Sequence, residues 1–339
     1  MSTLFKIAIV GFGKVGRVMA RAFKAKGFDI AGIVARAPFE SLEFNLVPAI
    51  ADLPADVDFL LLCVRDGQIE EVAKDIIEWR IRFPPRLRGG ARGGVSSVAD
   101  PAQSGEGKPG CQSSAVDSAS ESAIDYDEST AGSLSVACLD SRLHENDAPH
   151  AHLIVAHTAG AISAEVLAPL REVNTAVMAW HPLQTFTGDE GAELLEGVTF
   201  GIDGDDEAVS VGEALALKLD GKPLRIETDK RALYHLGAVF ACNFLAALAG
   251  ISLDLLKKAG IDERRALEAL SPLLTATVGN IARKGLPDAI TGPVRRGDVE
   301  TIQKHLALLK PYPEVEKLYR ELNAELTKRL GNTYYLKDK

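Results

Sequence analysis

A chain of 339 residues has room for two domains, and its 46% hydrophobic content suits sizeable buried cores. A net charge of −9 argues against a general binder of nucleic acid or of anionic membranes. No run of about 18 apolar residues stands out, and the N-terminus lacks a signal-peptide pattern, so the expectation is a cytoplasmic protein with no membrane partner. The four cysteines, Cys63, Cys111, Cys138 and Cys242, show neither metal-binding nor disulfide spacing. Cys63 and Cys242 read as buried thiols, and no metal site is expected.

The first element carries the strongest signal. Lys6-Ile-Ala-Ile-Val is a short β-prone run, followed by Gly11-Phe-Gly13-Lys-Val-Gly16 and a helix-compatible stretch from Lys14 to Lys26 closed by Gly27. This G-x-G-x-x-G motif, placed between a strand and a helix, is the first unit of a dinucleotide-binding fold. Gly11 allows the tight turn, Gly13 leaves room for a pyrophosphate, and Gly16 lets helix and strand pack closely. The free N–H groups at the helix start face the phosphates. Gly11, Phe12, Gly13, Lys14, Val15 and Gly16 are therefore the expected cofactor contacts.

Ile30 to Arg36 reads as strand two, and Asp58-Phe-Leu-Leu-Leu-Cys-Val64 as a parallel strand buried on both faces. Gln68 to Trp79 then reads as a helix. From residue 80 to 147 the pattern collapses into Gly, Ser, Ala and Pro, with a basic front and an acidic rear. Such a composition cannot bury enough surface to offset its ordering entropy, so it reads as a disordered insertion. Two Arg-Gly-Gly units without aromatics make a poor RNA-binding tract.

Order resumes with a strand from His152 to Ala156, ending in His157-Thr-Ala-Gly160, and a helix with Ser163 at its N-cap. Thr175 to Trp180 is the next strand, ending in His181-Pro-Leu-Gln184. Short strands at 198–202 and 224–226 flank a helix at 207–219. This alternation predicts an α/β, doubly wound Rossmann-type parallel sheet over residues 1–79 and 148–228. From Asp229 the pattern is helical only. An all-helical C-terminal domain over 229–330 follows, opening with one long apolar helix from Arg231 to Ala249.

In open α/β sheets ligands sit beyond the carboxyl ends of the strands, which directs attention to Val64, His157, Thr158, His181 and Gln184. At the end of strand two stands Arg36 where an NAD site would carry an acid. This favours NADP(H), unless Arg36 is a solvated loop residue. Tyr234, His235 and Asn243 are polar groups in an apolar helix, so they are either internally satisfied or line a cleft. His235 and Asn243 lie eight residues apart and would address one side of a continuous helix. Arg295 and Arg296, in a Gly-Pro and Gly-Asp loop, would bind a substrate carboxylate or form surface ion pairs. Asp298 suits a helix N-cap.

Taken in order, the glycine motif, His157-Thr-Ala-Gly160, His181-Pro-Leu-Gln-Thr-Phe186, Tyr234-His235 with Asn243, and Thr291-Gly-Pro-Val-Arg-Arg-Gly-Asp298 resemble one family. It is the Rossmann-like proteins that carry the C-terminal domain DUF2520, relatives of the 6-phosphogluconate-dehydrogenase-like reductases such as pyrroline-5-carboxylate and ketopantoate reductase. The resemblance covers nearly all of the chain except 80–147, where this sequence departs from the family's usual short connection. It implies an NADP-dependent oxidoreductase acting on a small carbonyl or imine compound, such as a 2-oxo acid, and a homodimer formed through the helical domain. His181, His235 and Asn243 are then the candidate catalytic residues, and Gln184, Tyr234, Arg295 and Arg296 the candidate substrate contacts. A non-catalytic NADP-binding regulator and a deazaflavin-linked oxidoreductase are the competing readings.

Overall fold

The computed structural model of the protein describes residues 5–35, 43–83 and 153–331. Arg36 and most of the 80–147 segment therefore lie outside the described residues. The chain divides into two units, one ending at Leu236 and one starting at Gly237.

The first unit is built on an eight-stranded sheet. Its strands are β1 (Lys6–Val10), β2 (Asp29–Val34), β3 (Leu46–Val47), β4 (Phe59–Leu62), β5 (Leu153–His157), β6 (Thr175–Pro182), β7 (Thr199–Gly204) and β8 (Lys222–Arg225). They lie in the order β3-β2-β1-β4-β5-β6-β7-β8. All neighbours run parallel except β6 and β7, which pair antiparallel. The expected parallel sheet thus gains one reversed pair. The two-residue strand β3 was not foreseen, because two residues give no periodicity to read.

The continuous apolar runs sit where burial on both faces demands them. All four residues of β4 are buried, as are all five of β5. Helix α1 (Lys14–Ala25) lays Val18, Met19 and Phe23 on one face of the sheet. Trp180 of β6 is fully enclosed there, stacked on Phe200 at 4.5 Å and donating its indole N–H to Gly212 O at 2.9 Å. Helix α2 (Ile69–Arg82) covers the other face with Val72, Ile76 and Trp79, alongside Leu167 and Leu170. Full burial of side chains of this size contributes about 1.5–3 kcal/mol each. The helix runs three residues past the expected end at Trp79, carrying Arg80 and Arg82 into the sheet unit. Helix α3 (Asp206–Lys218) follows β7.

Two local expectations need correction. Ser163 precedes a 3-10 stretch, Ala164–Val173, rather than an α-helix, and its side chain caps nothing. Pro169 within that stretch removes a backbone donor and so opposes a regular α-helix. The long helix at 231–249 is really two, α4 (Arg231–Ala241) and α5 (Asn243–Lys258), separated at Cys242 with φ −111° and ψ −67°. Cys242 is exposed there, not buried.

The second unit continues with α6 (Glu263–Lys284), α7 (Gly292–Arg296), α8 (Val299–Leu309) and α9 (Pro313–Arg329). Asp262 and Asp298 cap α6 and α8 by accepting from the N–H groups of Arg265 and Thr301, so the N-cap reading of Asp298 holds. His305 Nδ1 and Tyr319 Oη, 2.8 Å apart, join α8 to α9. Few apolar side chains are buried here, whereas Phe240, Phe244, Leu267, Leu273 and Val278 are exposed.

The helical stretch Thr228–Lys258 is long and apolar enough, by length and composition, to cross a membrane. The sequence reading missed it by looking for uninterrupted apolar residues. Polar residues such as Tyr234, His235 and Asn243 interrupt the apolar run without making the stretch polar as a whole.

Candidate functional site

The glycine motif forms a cradle at the carboxyl end of β1. Gly11 has φ +104°, and a Cβ there would lie 2.5 Å from Cys63 O. A Cβ on Gly16 would lie 2.0 Å from Gly11 O, so helix and turn touch backbone to backbone. Above Gly13 the space is open, and no side chain caps the start of α1. Its first N–H groups thus remain available to an anion. The adjoining cleft, about 390 Å³, is lined by Gly11, Phe12, Gly13 and Val64, with Arg65 and Asp75 supplying charge. Phe12 is braced edge-on by Phe44 and lies under the Arg17 guanidinium, 5.4 Å from its ring centre. Val15 is half-buried against the core, and Lys14 is exposed. A turn that needs glycine at Gly11 and Gly16, with uncapped N–H groups and a cleft beside it, fits a dinucleotide.

The loop after β5 is tied to this cradle. Both the backbone N–H and the hydroxyl of Thr158 donate to Leu62 O, at 3.1 and 3.2 Å. Burial pushes the neighbouring Cys63 thiol up to about 12, which leaves it protonated and unreactive. His157 is completely buried. Its Nε2 lies 3.1 Å from Ser163 O, and its Nδ1 accepts from the Ala159 N–H at 3.2 Å. Ser163 O can only accept, so the ring proton sits on Nε2. Both nitrogens are spent inside the loop, so the cofactor contact expected of His157 has no ring atom left to make it. Burial and then the Arg231 charge lower this imidazole to about 4.

Beside the loop three rings converge. His181 Nδ1 and Tyr234 Oη are 3.1 Å apart, with ring centres 5.7 Å apart and planes at 89°. His181 and His235 meet edge-to-face at 5.6 Å. Gly160 makes this possible, because a Cβ there would lie 2.2 Å from His235 Nδ1 and 2.9 Å from His181 Nε2. His235 Nδ1 is buried against it and lacks a hydrogen-bond partner among the described residues. A proton on that nitrogen would be stranded, so the neutral ring carries its proton on Nε2. Burial lowers His181 to about 4, with Arg231, His235 and His157 adding to the effect. Burial raises Tyr234 above the ordinary tyrosine value, against the opposing pull of Arg231.

Sequence reasoning missed the groups beneath these rings. Arg231, 1% exposed, donates to Asp203 Oδ1 at 2.5 Å and to the backbone oxygens of Ala159, Ile162 and Gly201 at 2.7–3.4 Å. Asp203 also accepts from the Ala164 N–H at 3.1 Å. This buried pair ties the β5 loop, β7 and α4 together, and every guanidinium nitrogen has an acceptor, as buried charge requires. Arg231, Tyr234 and His235 are spaced i, i+3 and i+4 and so share a helix face. The available signal was an arginine opening an apolar helix and an aspartate in a strand between Gly201 and Gly204.

The other candidates are more dispersed. Gln184 is exposed and serves its own loop, accepting from the Thr185 N–H at 2.8 Å. Asn243 is exposed and opens α5, one residue past the interruption at Cys242. In the second unit Arg295 donates to Pro287 O at 3.2 Å, and Arg296 lies 3.8 Å from Asp298. Both arginines are exposed.

The family model for DUF2520, a domain of unknown function, matches residues 198–326. No curated protein matches the chain. Among solved structures it resembles a candidate NADP oxidoreductase from Bacteroides fragilis, with 19% identity, a TM-score of 0.63 and coverage of 96% of this chain and 99% of that one. A pyrroline carboxylate reductase from Plasmodium falciparum with NADP bound matches at 10% identity and a TM-score of 0.51, over 98% and 100% of the chains. A reductive aminase from Aspergillus terreus, in complex with NADPH and ethyl levulinate, matches at 14% and 0.53, over 98% of both. At these identities the likeness is one of fold. The chain thus has a Rossmann-like fold, and its residues 198–326 match the DUF2520 domain.

Proposed function

We propose that the protein is an NADP-dependent oxidoreductase that reduces a small carbonyl or imine compound bearing a carboxylate, with a 2-oxo acid as the first substrate to try. One observation carries this reading: the glycine cradle and the His181–Tyr234–His235 cluster share the carboxyl edge of a single sheet. The solved proteins of like fold that hold NADP or NADPH support it. A reduced nicotinamide supplies the electron pair and hydrogen for the substrate carbon. The chain's own residues would do the rest. The backbone from Gly11 to Gly16 would hold the pyrophosphate, flanked by Val64 and Thr158. His181 and His235 would offer N–H groups to the substrate oxygen or nitrogen. Arg36 is the proposed reader of the 2′-phosphate, on the strength of its place in the sequence. Asn243, Gln184, Arg295 and Arg296 stand as proposed substrate contacts, each tested by whether its substitution raises KM for a carboxylate substrate.

The exposed apolar side chains of the helical unit favour a cytoplasmic homodimer over a membrane-spanning helix, since His235 within the apolar stretch already packs on His181. A protein that sediments with membranes and resists extraction by salt would overturn that choice.

The decisive experiment follows nicotinamide absorbance while NADPH is incubated with a panel of 2-oxo acids and cyclic imines. Turnover that is lost in His181→Ala is expected. Tight NADPH binding without turnover on a broad panel would replace this reading with that of a nucleotide-binding regulator. Tighter binding of NADH than NADPH, unchanged by Arg36→Ala, would remove the NADP assignment.

A further inference from the structure

We propose that Tyr234 and His181 form a proton relay in which Tyr234 is the positioning residue and proton source, Arg231 backs it, and His181 Nε2 delivers the proton. The proposal rests on the reductase reading above and specifies which atoms move.

The hydrogen bonds around Tyr234 support it. The hydroxyl of Tyr234 has no partner other than His181 Nδ1 among the described residues. A half-buried hydroxyl that did not donate to Nδ1 would leave its proton unsatisfied, so Tyr234 donates and Nδ1 accepts. The proton of neutral His181 then sits on Nε2, the nitrogen that faces the Gly160 Cα and the other ring. The Tyr234 ring lies close on Gly201, where a Cβ would come within 2.7 Å of it, so only glycine leaves room for the ring in this position. The groups around His181 all favour the same charge state. Tyr234, His235 and the Arg231 cation face it from α4, and neutral His157 from β5. Asp203 of β7 is already committed to Arg231. A positive imidazolium in this setting is opposed by burial and by the guanidinium. Burial holds the Tyr234 hydroxyl protonated at rest, and the same guanidinium offsets part of the cost of a phenolate there.

The proton balance is simple. With a reduced nicotinamide supplying the electron pair and hydrogen to the substrate carbon, the substrate oxygen or nitrogen would take the Nε2 proton of His181. Nδ1 simultaneously takes the hydroxyl proton of Tyr234. His181 ends neutral with its other tautomer, Tyr234 ends as a phenolate facing Arg231, and water restores both on product release. The reduced nicotinamide would be the sole reductant, so the balance needs no other oxidant or reductant.

The test uses the full chain. Tyr234→Phe keeps the ring on Gly201 but removes the proton, so kcat should fall about 10²-fold while KM and NADPH binding change little. Wild-type turnover should stay flat through neutral pH and fall only above about 10, the ordinary tyrosine range. A wild-type rate that instead climbs as pH drops below about 6.5 would mean that imidazolium is the acid, and the relay would be wrong. So would a Tyr234→Phe enzyme within twofold of wild type. If no substrate turns over at all, the reductase reading fails. The relay is then judged by nitrogen NMR of the labelled histidine rings at neutral pH. A protonated Nε2 and hydrogen-bonded Nδ1 at His181, with the latter signature lost in Tyr234→Phe, sustain it; a protonated Nδ1 overturns it.

Discussion

The sheet unit and the helical unit differ in how far they bury their large apolar side chains. In the first, α1 and α2 cover both faces of the sheet, and side chains such as Trp180, Phe23 and Ile76 are wholly enclosed. In the second, Phe240 and Phe244 pack edge-to-face at 4.7 Å yet both remain exposed, as does Leu273. Burial within one chain completes the first unit. The second leaves several large apolar side chains exposed, which is the basis for the proposed dimer. Substitutions should therefore act on folding and ligand binding in the sheet unit, and on assembly in the helical unit.

The largest effect is expected at Gly16→Ala. Its methyl would meet backbone at Gly11 O, which has no rotamer to move, so about 3 kcal/mol should be lost despite the gain in helix propensity. NADPH titration should show no binding, and denaturant melts should show the lost stability. An alanine variant that binds NADPH normally would break the account of the cradle.

Acid should act on the same unit. His157 titrates near 6.5 when unfolded and about 4 when folded, so its folded pKa is depressed. The unfolded chain binds the proton first, so stability is full above 6.5 and declines as pH falls from there toward 4, by about 3 kcal/mol at most. His181, lowered in the same direction to about 4, adds to the slope. Thermal melts across this range measure it, and His157→Gln should start lower but flatten the curve. An unchanged slope in that variant would mean other groups set the acid response.

In the helical unit Phe240→Glu should barely alter the melting of an isolated chain, because the side chain is 62% exposed. If a second copy covers it, the same substitution should turn a dimer into a monomer by light scattering, at a cost of about 2 kcal/mol or more. A monomeric wild-type protein would remove the contrast between the units. The smallest effect is at a cap: Asp298→Ala should cost about 1 kcal/mol, because Thr301 N–H loses its acceptor while the apolar contacts stay intact.

How much of this was legible in the sequence follows from the range of the forces involved. The cradle was, because each glycine answers to a neighbour a few residues away or to the adjacent strand. Gly11 turns the chain and Gly16 meets Gly11 O within one motif. The buried strands β4 and β5 were legible as continuous apolar runs, and the cap at Asp298 as local chemistry. Other features depended on groups far apart in the chain. His157 looked like a ligand contact until its two nitrogens found Ser163 and Ala159. The interruption at Cys242 had no adjoining glycine or proline to announce it.

The sequence by itself determined that this chain builds a dinucleotide cradle followed by apolar helices, since backbone sterics and hydrophobic periodicity act over short stretches. Only the tertiary structure decided which polar residues meet. Arg231 reaches Asp203 across 28 residues, and His181 reaches Tyr234 across 53. Such pairings arise when β6, β7 and α4 pack around one buried charge, and no spacing along the chain encodes that distance.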